Sequence, residues 1–110
     1  MENEKQKAEP PADLSEAARK IWVEISETAE IDAPGRILLD ELCRQFDLLQ
    51  AARAEVAKNG ILVSGRFGKK SNPANQIVRD ASAAMLRNWR ALGFDLAPAG
   101  QQKMLFGEQE

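Results

Sequence analysis

Residues 36–60 read RILLDELCRQFDLLQAARAEVAKNG, and neither proline nor glycine interrupts them before Gly60. Leu38, Leu42, Phe46, Leu49, Ala52 and Val56 recur at helical spacing, which predicts one long helix carrying a single apolar stripe. Asn59-Gly60 supplies its left-handed stop. With Gln45 in place of Phe46, the same positions also fit a and d sites over about three heptads. Two kinds of cover suit such a stripe equally: other helices of the same chain, or a second copy of this one. A subunit boundary is therefore expected along Leu38, Leu42, Leu49, Arg53 and Val56. Arg53 interrupts the stripe and needs an acid or water within reach, because an unpaired buried guanidinium costs several kcal/mol. Leu39 and Cys43 fall beside the stripe, where Cys43 reads as an incidental small hydrophobe.

Upstream, Asp32-Ala33-Pro34 restarts the chain, since aspartate caps a helix and proline suits its first turn. An earlier helix is expected from about residue 14 to 29 on Leu14, Ala18, Ile21, Trp22, Ile25 and Ala29, with Asp13 as cap and Glu16 completing a capping box. Residues 1–12 lack periodicity, mix charges and end at Pro10-Pro11, which describes a flexible arm. Downstream, Ile61-Leu62-Val63 and the glycine-punctuated run Ser64 to Ser71 predict a short extended piece or hairpin-like loop, too short to found a sheet. Asn72-Pro73 then opens a third helix that reaches Leu92 and ends at Gly93. Residues 94–110 are weakly patterned and read as a tail. The expected fold is all-α: three main helices over 13–93, the central one long, with oligomeric assembly covering what one small core leaves exposed.

The chain has 110 residues, no histidine and one cysteine, so the usual zinc and iron sites lack their nitrogen ligands and an internal disulfide is impossible. The ordinary serine and cysteine triads lack their base as well. No cofactor is expected, and the acids of the first two helices read as solvation. No apolar run approaches the length of a membrane span and no secretory pattern opens the chain, so the expected location is a host cytoplasm.

The formal net charge of −2 conceals a strong polarity. Residues 13–59 carry ten acids against six bases, whereas residues 60–91 carry Arg66, Lys69, Lys70, Arg79, Arg87 and Arg90 against Asp80 alone. On a helical wheel Arg79, Arg87 and Arg90 share an arc with Asn72 and Gln76, opposite Ala74, Ile77, Val78, Ala81, Ala84, Met85, Trp89 and Leu92. Guanidinium groups on one helix face suit phosphate, and Lys69 and Lys70 stand just before the positive end of that helix. These six basic residues are the candidate DNA contacts. A solvated face, or a neighbour's acidic helices, would account for the same pattern.

Gly68-Lys69-Lys70-Ser71 invites comparison with a nucleotide phosphate loop and fails it. Val63 stands where the motif needs its first glycine, and Lys70 separates Lys69 from the Ser71 hydroxyl. A helix-turn-helix regulator is equally poorly matched, for no short helix, tight turn and recognition helix can be found.

The order of these features resembles the short phage terminase small-subunit family. The resemblance rests on Leu14-Ser15 with Ala17, Ala18 and Trp22, on the long helix ending at Asn59-Gly60, and on the apolar triplet and glycine-containing loop before Asn72-Pro73-Ala74. Leu86 in the third helix and the Leu92-Gly93-Phe94 exit followed by proline complete it. Asp95-Leu96-Ala97-Pro98 and Ala99-Gly100-Gln101 depart from the family's usual ending, a Leu-Thr-Pro followed by arginine. The resemblance implies a non-enzymatic homo-oligomeric ring that recognises viral double-stranded DNA and delivers it to a large terminase subunit. A helical adaptor that binds proteins only is the alternative.

The purified chain is expected to hydrolyse no ATP and cut no DNA. ATP turnover that survives repurification and disappears in Lys69→Ala would overturn this.

Overall fold

The computed structural model describes residues 8–94, which form three helices and one small hairpin: α1 (Glu16–Thr28), α2 (Ala33–Asn59), β1 (Leu62–Gly65), β2 (Gly68–Ser71) and α3 (Ala74–Ala91). The tail expected over 94–110, apart from Phe94, lies outside the described residues, as do the first seven residues of the expected arm. Of the two readings of the segment between the second and third helices, the hairpin holds, and it pairs as a two-stranded antiparallel sheet, with Leu62 opposite Ser71 and Gly65 opposite Gly68. A length too short for a sheet holds for one extended segment; folded at Arg66-Phe67, the segment supplies its own partner strand.

α1 begins at Ser15 rather than Asp13. The Ser15 hydroxyl accepts the Ala18 N–H, and it donates to Asp47 of α2. The Ser15 N–H donates to the same carboxylate at 2.8 Å. Asp13 instead receives the Arg44 guanidinium at 3.1 Å, which holds its carboxyl below the usual carboxylate range although both groups are exposed. Two α2 side chains therefore fasten the start of α1. Farther along, Trp22 is fully buried and its indole N–H donates to Asp40 at 2.8 Å.

α2 starts as expected, with Asp32 accepting the Gly35 N–H and Pro34 in the first turn. It packs against α1 and, more extensively, against α3. Leu42, Leu49 and Ala52 of the stripe are buried. Leu39 and Cys43 are buried completely and join Leu14, Ala18 and Trp22 in the core. Cys43 is thus a central packing group, because α2 is covered on two sides and a single stripe describes only one. Trp89 and Leu92 of α3 close the same cluster. α3 ends in a Schellman arrangement: Gly93 at φ 95° donates to the Arg90 carbonyl, Phe94 N–H to that of Trp89, and the Phe94 ring meets Trp89 edge-on at 4.9 Å.

Burial, assisted by the Asp40 and Asp47 carboxylates, pushes the Cys43 thiol up to about 11 from its ordinary 9.0. The folded protein should resist a disulfide-exchange reagent at neutral pH and react once unfolded in urea. Because the folded-state value is the higher one, the thiol's contribution to stability is complete below 9.0 and is lost as pH rises toward about 11. That alkaline loss should be missing from the unfolding curves of Cys43→Ala.

Candidate nucleic-acid interface

Gly60 ends α2 at φ 93° and ψ 166°, a combination open essentially to glycine alone, and turns the chain directly into β1. Asn72 closes the hairpin at its other end. It is 3 % exposed, and both halves of its carboxamide are used. Nδ2 donates to the Gly60 carbonyl at 2.9 Å, and Oδ1 accepts the Ala74 N–H at 3.0 Å. The Asn72 N–H donates to the Ile61 carbonyl, which also accepts from the Asn75 amide. α3 itself starts at Ala74 with Pro73 before it, and the Asn72 side chain joins the end of α2 to that first helical residue.

The hairpin stands on that joint. Arg66 and Phe67 form its tip without positive φ, which falls instead on Gly68 at 116°. A Cβ on Gly65 would lie 3.0 Å from Lys70 Cδ, so glycine there lets the lysine methylenes cross the turn. Lys70 pairs with Val63 and Lys69 with Ser64, which sends the two lysines to opposite faces of the ribbon. At the tip the Arg66 guanidinium lies over the Phe67 ring, 5.7 Å from its centroid, and Phe67 is 95 % exposed. Arg66, Lys69 and Lys70 are exposed as well, and no acid occurs between Gly60 and Arg79.

Arg79, Arg87 and Arg90 lie on the exposed arc of α3, as the wheel predicts. Ala74 and Ala81 of the opposite arc are buried, Val78, Ala84, Met85, Trp89 and Leu92 are half-buried, and Ile77 at its margin is exposed. Arg79 donates to Gln76, whose amide donates in turn to both oxygens of Asp80, so a short chain of bonds orients this guanidinium. The six basic residues do not converge on one point. Three belong to the hairpin at the start of α3, whereas Arg90 sits about 24 Å farther along the helix axis. Exposed cations spread over that distance suit a linear polyanion better than a single phosphate group.

Of the five residues expected at a subunit boundary, Leu42 and Leu49 are already covered within the chain. Leu38 and Val56 are half-buried and Arg53 is exposed, so its charge meets no burial penalty. Several large apolar groups that helical spacing does not single out stand in the open: Ile37 at 70 %, Leu48 at 45 %, Ile61 at 66 %, Leu62 at 56 % and Phe67. Phe67 has a usable signal in the sequence, because glycines on both sides of a two-residue segment mark a hairpin tip. Ile37 and Leu48 carry none, since periodicity alone does not say which of two apolar arcs is covered.

Among the described residues no group of three or more His, Cys, Asp or Glu side chains is placed to hold a metal ion, and no helix is long and apolar enough to cross a membrane. In comparisons with known proteins, the sequence model of a family described as "Phage terminase, small subunit" matches residues 17–109. No curated protein and no solved structure matches the chain.

Asn72→Ala should lower the unfolding free energy by about 2 kcal/mol in urea titrations, because it leaves a carbonyl and an N–H at the joint without partners. Asn75→Ala, at a less buried position, should cost well under half of that.

Proposed function

Because the chain belongs to the phage terminase small-subunit family, we propose that it binds viral double-stranded DNA as a homo-oligomer and delivers it to the large terminase subunit to start genome packaging. The observation that carries this reading is the exposure of six cations, three on the hairpin and three on the outer arc of α3, which we read as one basic strip. Phosphates of a duplex recur along a line, and a strip of this length meets several of them. Each neutralised phosphate releases counterions, so the affinity gained is strongly salt-dependent and largely indifferent to sequence.

Assembly fits the distribution of apolar groups. Among the described residues ten hydrophobic ones are buried, and four of them are alanines, so a single copy has a thin core. Whereas half-buried Leu38 and Val56 fall within the covered stripe of α2, Ile37 and Leu48 lie on its uncovered side. Contact with a second copy along α2 would cover them, and a ring of copies would repeat the basic strip around its circumference. No ATPase or nuclease chemistry is assigned to this subunit; both belong to the large one in this division of labour.

Replacing Arg79, Arg87 and Arg90 together by Gln should leave the solution mass and helical signal unchanged, since exposed charges add little to stability. Affinity for every duplex tested should fall. The slope of log affinity against log salt should flatten by about one unit for each phosphate no longer neutralised. An unchanged slope together with a collapsed solution mass would make the strip an assembly element and favour the protein-only adaptor.

A further inference from the structure

We propose that Phe67 is a wedge that enters a base step of duplex DNA, with Arg66 and the two hairpin lysines holding the phosphates on either side. The inference rests on the DNA-binding reading above and adds to it a stacking contact that charge does not provide.

The first observation is exposure. A phenylalanine left 95 % exposed at a hairpin tip gains nothing for the fold, because its apolar area stays in water in the isolated chain. The fold nevertheless presents it firmly. The two-residue tip is paired back to Gly65 and Gly68, and the hairpin base is fixed by the Asn72 carboxamide. The second observation is the surroundings of the ring. Arg66 lies over it, Lys69 and Lys70 follow within three residues, and the segment 60–79 contains no acid. A protein partner for a lone ring would ordinarily meet further apolar groups beside it, yet the neighbours at this tip are cations and glycines. A duplex answers both features together, with phosphates for the cations and stacked bases for the ring. Aromatic and aliphatic side chains that enter base steps partly unstack them and bend the helix, and a two-stranded ribbon is narrow enough to approach a groove.

Phe67 carries no charge, so its removal has a signature distinct from the loss of an arginine. Full-length protein would be titrated against a labelled duplex of mixed sequence at several salt concentrations. Phe67→Ala should bind on the order of tenfold more weakly while the salt slope stays that of the unaltered protein. Phe67→Trp should retain affinity, and the emission of the new indole, exposed in the free protein, should be quenched on binding as it stacks against bases. A duplex rich in pyrimidine–purine steps should bind better than a stiff A-tract duplex, and Phe67→Ala should lose that preference. Circular dichroism and solution mass should be the same for all three proteins, since the ring packs on no core residue.

If the unaltered protein binds no duplex, the DNA reading falls and the wedge with it. If the protein binds with the expected salt slope but Phe67→Ala matches it in affinity and step preference, the wedge alone is overturned. A Phe67→Ala protein that keeps its DNA affinity but loses solution mass or large-subunit binding would assign the ring to a protein contact and overturn the proposal.

Discussion

The side chain of Asn72 holds the corner between α2 and α3. The chain leaves a helix of 27 residues, makes a hairpin and enters a helix of 18, and the two helices pack together only if the corner keeps its angle. A buried carboxamide is suited to that task because it offers donors and an acceptor from a single rigid plane. In a dry site it has no water to fall back on, so both halves must find backbone partners at once. Gly60 on one side and Ala74 on the other are those partners. The hairpin inherits its direction from the same bonds.

Much of this is legible in the sequence, and the parts that are not share a cause. Helix boundaries set by local chemistry are readable: Asp32 and Pro34 at the start of α2, Gly60 at its end, Gly93 after α3. The arginine arc is equally readable, because it depends on angular spacing within one element. Sequence patterns mislead where a second element decides the outcome. Asp13 and Ser15 are both competent caps, and the choice goes to Ser15 because Asp47 fastens that residue while Arg44 claims Asp13. Leu39 and Cys43 are peripheral to a single stripe, yet they form the centre of the core because α1 approaches α2 from their side. The partners of Leu42 and Leu49 are undecided by spacing for the same reason. The glycines of the hairpin make its turn readable, but its pairing is not, because it joins residues whose individual strand preferences are weak, lysine and glycine among them.

The charge polarity takes a spatial meaning in the folded chain. Three acids at the start of α2 and within it serve as structure: Asp32 caps, Asp40 holds the Trp22 indole, and Asp47 holds Ser15. The cations of residues 60–91 have few comparable structural duties, and Arg79 is oriented by Gln76 without being buried. Segregation of this kind separates the exposed cations of residues 60–91 in sequence from the carboxylates that hold α1 and α2 together.

The corner also has a kinetic meaning. Asn72 and Gly60 are twelve residues apart, whereas Trp22 and Asp40 are eighteen apart and Ser15 and Asp47 thirty-two. The entropy lost in closing a loop rises with its length, so the turn joining α2 to α3 is the cheapest of these three closures and lies closest to a folding nucleus. α1 leaves the ribosome first, and its buried face meets α2 through the longer closures at Asp40 and Asp47. Loop closure therefore costs least at the corner and most where α1 is fastened to α2.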